Sequence, residues 1–168
     1  MSVAASQPLN PQLIREIESE IAHYPEPTAA SIEALKLVQR HHGWVSDEHL
    51  KAVASMLGMS PEALDSVATF YNLIYRRPVG RNVILCCDSV SCWLLGADQV
   101  REHLSARLGI GLGETTADGA YTLLPVVCLG ACDRAPALLV NDELIGKVDA
   151  QVVDRLLESG PQSDGAGT

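Results

Sequence analysis

Positive charge is scarce in this 168-residue chain. Twelve Lys and Arg residues stand against 21 Asp and Glu residues, which gives a formal net charge of −9 at pH 7. Nucleic-acid binding depends largely on cationic contacts to phosphate, and docking on anionic lipid depends on basic residues near the surface. The charge balance therefore argues against a nucleic-acid partner and against electrostatic docking on anionic lipid.

Long apolar runs and targeting patterns are also missing. Even the uncharged stretch from Gly119 to Cys132 is shorter than the roughly 18 apolar residues that a membrane-spanning helix needs. The N-terminal sequence MSVAASQPLNPQLIREIE contains neither a basic start before an apolar block nor an Arg-rich, acid-poor pattern. We therefore expect a cytoplasmic protein without membrane insertion.

Aromatic residues make up only 4% of the chain, whereas hydrophobic residues in total make up 47%. The apolar content is high enough for a real core, which excludes a wholly disordered chain. With so few rings available, we expect that core to consist of Leu, Val, Ile and Ala.

The first half of the chain has helical patterning. Asn10 and Ser60 are suited to cap helices, and each is followed by Pro at the first helical position. Apolar residues recur at helical spacing from about Ala29 to His42, and a further helix is expected after Ser46. In the last of the four helices, Phe70 is expected on the apolar face.

The second half alternates between strand and helix patterns. The β-branched run Asn82–Cys87 predicts a buried strand, and Tyr121–Val127 predicts a second one after a turn at Asp118-Gly119. The remaining elements are a helix from about Trp93 to Leu108 with Leu95 on its apolar face, a hairpin of Ala137–Val140 with Leu144–Ile145, and a helix from about Ala150 to Glu158.

These patterns predict an α+β fold with two parts. Residues 1–79 form an N-terminal helical bundle, and residues 80–158 form an α/β domain of thioredoxin-like order. Residues 159–168 are rich in Gly and small polar residues, so we expect a disordered tail there.

Cysteine is absent from the first half and clustered in the second. Four of the five cysteines form two pairs, Cys87 with Cys92 and Cys128 with Cys132. Each pair begins where a predicted strand ends, so we expect both pairs on loops at one edge of the sheet. Four thiolates from two loops suit an iron–sulfur or a zinc centre. The spacings are wider than the two-residue knuckle common for zinc, which favours a [2Fe–2S] cluster.

The neighbours of these cysteines have expected roles as well. The backbone N–H groups of Ser89, Gly130 and Ala131 are expected to approach the sulfurs and raise the reduction potential. Trp93 is expected to pack or to shield the centre from solvent. Arg134 is expected either to be solvated or to offset part of the negative charge of the centre.

Other signals have simpler explanations. Cys86 points to the opposite strand face from Cys87, so we expect a small core residue and not a ligand. The glycines between Gly109 and Gly113 follow a helix, which does not fit a dinucleotide-binding turn. No His stands within a few residues of a Cys, so a Rieske centre is not expected, and none of the five His residues is assigned a catalytic role.

The order of motifs resembles the family of 24-kDa-type subunits of respiratory complex I, which in bacteria is the E-type component of NADH:quinone oxidoreductase. The resemblance covers about Ile14 to Leu157 and is carried by Gly43-Trp44-Val45, Val67-Ala68-Thr69-Phe70-Tyr71, CDSVSC, GETTADG and CLGACDRAP. It implies one [2Fe–2S] cluster in a thioredoxin-like ferredoxin domain. The four ligands of the family correspond to Cys87, Cys92, Cys128 and Cys132.

The resemblance also implies partners and a location. In that family, a larger flavoprotein holds FMN and the NADH site, and the small iron–sulfur protein exchanges single electrons with that flavin. The implied partners are this F-type flavoprotein and other peripheral-arm subunits. The implied location is the cytoplasmic side of the inner membrane, reached through the complex.

Two alternatives stay open at this point. Subunits with the same cysteine pattern occur in NAD-reducing hydrogenases and NAD-dependent formate dehydrogenases. A structural zinc module that acts in assembly is the other alternative, which colour and visible absorption distinguish from an iron–sulfur protein.

Overall fold

A computed structural model of the chain describes residues 9–160, and the chain divides into two compact units between Pro78 and Val79. The first unit contains α1 (Pro11–Ile21), a 3-10 turn (Pro27–Ala30), α2 (Ser31–His42), α3 (Asp47–Leu57) and α4 (Pro61–Phe70). The second contains β1 (Asn82–Cys87), α5 (Val90–Leu94), α6 (Ala97–Leu108), β2 (Tyr121–Val126), a 3-10 turn (Cys132–Arg134), β3 (Ala137–Val140), β4 (Glu143–Gly146) and α7 (Ala150–Ser159).

The predicted α+β class, with a helical bundle followed by an α/β part, is confirmed by this order of elements. The predicted domain bounds, residues 1–79 and 80–158, stay a prediction. Of the predicted tail, Ser159 is the last residue of α7, and residues 161–168 lie outside the described residues.

Side-chain caps explain where three helices of the first unit begin. Asn10 and Ser60 each accept the backbone N–H of the third residue after them, at 2.8 and 3.2 Å. At the start of α3, Ser46 Oγ accepts the His49 N–H at 3.1 Å, and His49 Nδ1 accepts the Ser46 N–H at 3.4 Å. Such caps satisfy backbone donors that have no partner within the helix.

Aliphatic side chains form the core of each unit, as the scarcity of rings predicted. Fully buried examples in the first unit are Leu13, Ile17, Leu35, Val53 and Leu64. In the second unit, the corresponding residues are Ile84, Leu104, Leu123, Leu138 and Val153.

One mixed sheet, in the strand order β2-β1-β3-β4, organises the second unit. Strand β1 pairs in parallel with β2 and antiparallel with β3, and β3 forms the predicted hairpin with β4. In the parallel pair, Asn82 lies opposite Tyr121 and Cys87 lies opposite Val126. The two strands therefore end at the same edge.

The predicted helix from Trp93 to Leu108 is wrong, because the chain forms two helices instead. Helix α5 ends at Leu94 and α6 begins at Ala97. Between them, Gly96 has a φ of 97°, a left-handed conformation that glycine adopts without a steric penalty. The break leaves Leu95 exposed and not on an apolar helix face.

The expectation for Phe70 is also wrong, since its side chain is 81% exposed at the end of α4. Some element ends differ by one or two residues: α2 begins at Ser31 after a 3-10 turn, β2 ends at Val126, and α7 ends at Ser159. Among the described residues, no helix is both long enough and apolar enough to cross a membrane.

His49 makes the stability of the chain depend on pH. Burial is the main reason that the pKa of His49 lies below its ordinary value of 6.5, and His42, whose ring centroid is 4.2 Å away, lowers it further. The folded chain favours the neutral ring, so this contribution to stability is lost as the pH falls below 6.5 towards the folded-state pKa.

As the pH falls from about 7.5 to about 5, we expect the free energy of unfolding of His49→Gln to decrease less than that of the wild type. The reason is that Gln keeps the capping position but does not titrate. Urea unfolding at each pH measures the difference. The matched control is His23→Gln at an exposed position, which should keep the wild-type pH dependence. An unchanged pH dependence in His49→Gln would contradict the prediction.

Candidate metal centre

The four cysteines predicted as ligands lie on two loops at one edge of the sheet. Cys87 is the last residue of β1, and Cys92 lies in α5. Cys128 follows β2, and Cys132 begins the 3-10 turn before β3. Cys87 and Cys92 are buried, whereas Cys128 and Cys132 are exposed. The site therefore has one side in the protein interior and one side at the surface.

Interactions between the thiols link both loops. Burial is the main reason that the pKa of Cys92 lies above its ordinary value, and the neighbouring Cys87 and Cys132 thiols raise it further. The pKa of Cys128 is lowered by the Gly130 amide and, to a smaller extent, by the neighbouring Cys132 and Cys87 thiols. All four are free thiols. Each of the four thiols therefore has another thiol as a neighbour, either on its own loop or on the other loop.

The donor set fits a [2Fe–2S] cluster, which takes four cysteine thiolates. Within residues 9–160, no group of three or more His, Cys, Asp or Glu side chains is positioned to hold a metal ion. The assignment of Cys87, Cys92, Cys128 and Cys132 as ligands stays a prediction.

Backbone amides donate to two of the sulfurs. The Gly130 N–H lies 3.4 Å from Cys128 Sγ and is the main reason that the pKa of Cys128 falls below its ordinary value. The predicted approach of Gly130 to a sulfur is thereby confirmed. Ser89 contributes through its side chain, which also hydrogen-bonds with Cys128.

A second amide donor was not foreseen from the sequence. The Ala137 N–H, at the start of β3, donates to the sulfur of Cys92 and opposes the burial that raises the pKa of that thiol. Ala137 lies five residues beyond the second cysteine pair, and no local motif marks it. Only the packing of β3 beside β1 brings its amide to Cys92.

Cys86 lies away from the other thiols, in agreement with the prediction from strand alternation. Its side chain packs in the core that contains Val100 and Leu104, whereas Cys87 and Cys92 belong to a separate buried cluster. Burial raises the pKa of Cys86 to about 12. A thiol with such a pKa is an inert core group at neutral pH.

The surface around the thiols is more apolar and more exposed than the sequence suggested. Trp93 is 57% exposed, so the expectation that it packs against the chain is wrong. Val90 is also exposed, whereas Leu129 is half-buried against the cysteine cluster. Arg134 is half-exposed and forms a 4.0 Å contact with Asp133.

The Ala135–Pro136 peptide bond just before β3 is cis.

Comparisons with known proteins agree with this description. The model of a family described as thioredoxin-like [2Fe–2S] ferredoxin matches residues 17–160. The E component of the NADH-quinone oxidoreductase of Pseudomonas aeruginosa is 51% identical over 143 residues, which cover 85% of this chain and 86% of that protein. The protein of the same name from Escherichia coli K12 is 45% identical over 142 residues, which cover 84% and 86%.

A similar solved structure is an NAD+-reducing [NiFe]-hydrogenase in the H2-reduced state. Its TM-score is 0.67 at 26% sequence identity, over 77% of this chain and 22% of the hydrogenase chain. This chain therefore spans about a fifth of the length of that hydrogenase chain.

The separation of Cys86 from the other thiols generates a direct prediction. Cys92→Ala and Cys128→Ala each remove a thiol from one loop, so we expect the purified variants to lose their bound iron and its visible absorption. Cys86→Ala is the matched control and should keep both, because its thiol lies in another buried cluster. A Cys86→Ala protein without iron, or a Cys92→Ala protein with a full complement, would overturn the ligand assignment.

Proposed function

The chain belongs to the thioredoxin-like [2Fe–2S] ferredoxin family, and from that premise we propose that it is the electron-transfer subunit of the NADH dehydrogenase module of a respiratory NADH:quinone oxidoreductase. The observation that carries the proposal is the placement of four cysteines on two segments at one edge of the sheet, in a chain 51% identical to the E component of such an oxidoreductase. The expected family resemblance is confirmed by these matches.

The residues of this chain would hold the cluster and adjust its potential. A [2Fe–2S] cluster supplies one-electron transfer when it is bound. Cys87, Cys92, Cys128 and Cys132 are the proposed ligands. The amides that donate to Cys92 and Cys128 favour the more negative, reduced state. The chain itself carries no complete catalytic site in this proposal and acts as part of the larger enzyme.

The proposed partner is the FMN- and NADH-binding flavoprotein, of the F type, together with other peripheral-arm subunits. Exposed apolar side chains beside the thiols support a protein partner there. Leu94 is 70% exposed and Val127 is 77% exposed, and Val90, Trp93 and Leu95 are exposed as well. Apolar side chains grouped at a surface are typical of an interface. Through this complex, the chain would lie on the cytoplasmic side of the inner membrane.

The NAD+-reducing hydrogenase gives a second candidate function. The hydrogenase structure is similar to 77% of this chain, so an equivalent electron-transfer role in a hydrogenase module is the alternative. The sequence identity of 26% is well below the 45–51% found with the two quinone oxidoreductase components. We therefore favour the quinone oxidoreductase.

Capture of the native complex distinguishes these candidates. The affinity-tagged full chain is produced in its own organism, extracted with mild detergent and purified, and the subunits that accompany it are identified. We expect a flavoprotein that releases FMN on acid treatment, together with quinone-reducing subunits. Hydrogenase subunits in their place would replace the first proposal by the second, and a chain purified without any flavin-containing partner would contradict both.

The apolar surface beside the thiols generates a further prediction. Leu94→Ser removes an exposed apolar side chain at that surface, and we expect capture of the flavoprotein to fall about tenfold, as the loss of one buried Leu contact implies. Quantified flavin per tagged chain is the measurement.

Leu112→Ser is the matched control, because Leu112 is exposed in the loop after α6 and not beside the cysteines. It should retain flavin at the wild-type level. Equal losses for the two variants would contradict a docking role for the surface that contains Leu94.

A further inference from the structure

We propose that Arg101 is a positioning residue that holds the Cys87–Cys92 loop against α6 and raises the reduction potential of a cluster bound by the four thiols. The inference rests on the proposed function, because it concerns the centre that these thiols would hold. It concerns a residue outside both cysteine motifs.

Arg101 bridges two carboxylates on α6 and on the cysteine loop. Its Nη1 donates to Asp88 Oδ1 at 2.7 Å, and its Nη2 donates to Asp98 Oδ1. The Arg101 side chain is only 19% exposed, whereas those of Asp88 and Asp98 are 53% and 50% exposed. The guanidinium is therefore the shielded member of this group, and the carboxylates face solvent.

Asp88 connects the bridge to both cysteine loops. It directly follows Cys87, and its backbone N–H donates to the Val126 carbonyl at 2.8 Å. Val126 is the last residue of β2, two positions before Cys128. Arg101 thus binds the residue that joins the ends of β1 and β2, where both loops begin.

The charge of Arg101 also reaches the protein interior behind the thiols. Arg101 lines a small cavity together with Cys86, Cys87 and Ala137, and the cavity has no room for a water molecule. A charge that faces a group through protein rather than water has a stronger effect.

The sign of the effect on the potential follows from charge. Reduction adds one negative charge to a centre that four thiolates already make negative, so a nearby fixed cation favours the reduced state. Arg101 stays charged, since its hydrogen bond to Asp98 raises its pKa further. Removal of Arg101 would leave the negative charges of Asp88 and Asp98 without this positive neighbour and would lower the reduction potential. Removal of the Asp98 charge would raise the potential.

Redox titration of the full chain, followed by EPR, tests this role. We expect Arg101→Gln to lower the equilibrium constant for one-electron reduction about tenfold, which corresponds to about 59 mV for a one-electron couple. The matched control is Arg107→Gln, which makes the same charge change on the same helix, where Arg107 pairs with Asp154. Its equilibrium constant should change less than about twofold. Asp98→Asn should shift the potential upwards.

The outcomes separate this inference from the proposed function. A wild-type chain with no [2Fe–2S] signal would refute the function, whereas a wild-type signal with equal shifts in Arg101→Gln and Arg107→Gln would overturn the role of Arg101 alone. If Arg101→Gln does not retain the cluster, Asp98→Asn decides. A raised potential in that variant supports the proposal, and an unchanged or lowered potential overturns it.

Discussion

The parallel pairing of β1 with β2 is the constraint on which the rest of the site depends. Because the strands run in one direction and Cys87 lies opposite Val126, the two cysteine loops leave the same edge of the sheet. An antiparallel arrangement would carry Cys128 to the far end of β1. The hydrogen bond from the Asp88 N–H to the Val126 carbonyl extends this pairing one residue beyond the strands. The thiols can meet only because that register is kept.

Strand alternation places Cys86 and Cys87 on opposite faces of β1, so that only Cys87 is a proposed ligand. Cys86 faces the core between the sheet and α6, where burial raises its pKa, and Cys87 belongs to the neighbouring cysteine cluster. Of the four remaining thiols, those of Cys87 and Cys92 are buried and those of Cys128 and Cys132 are exposed. In our account, the Ala137 amide and Arg101 adjust the potential from the buried side, the Gly130 amide adjusts it at the exposed Cys128, and the partner's flavin approaches from the exposed side.

Much of this arrangement could be predicted from the sequence, because local rules determine it. The bounds of β1 follow from its β-branched run, the caps at Asn10 and Ser60 follow from their side chains, and the convergence of the loops follows from strand order. The break at Gly96 was missed, since helical periodicity alone does not detect one left-handed residue. The exposure of Phe70 and Trp93 was missed because the spacing of apolar residues in a sequence does not show whether a side chain packs in the core or lies at the surface. The approach of the Ala137 amide to Cys92 depends on packing between elements that are distant in the chain, and no sequence motif indicates it.

Low-temperature EPR of the anaerobically purified full chain tests the central claim most directly, which is that these four thiols bind one [2Fe–2S] cluster. Samples are measured as oxidised protein and again after reduction with dithionite. Our account predicts no signal from the oxidised protein and an axial or rhombic one-electron signal after reduction. A colourless protein that gives no signal in either state and contains zinc would contradict it, and would favour a structural zinc module.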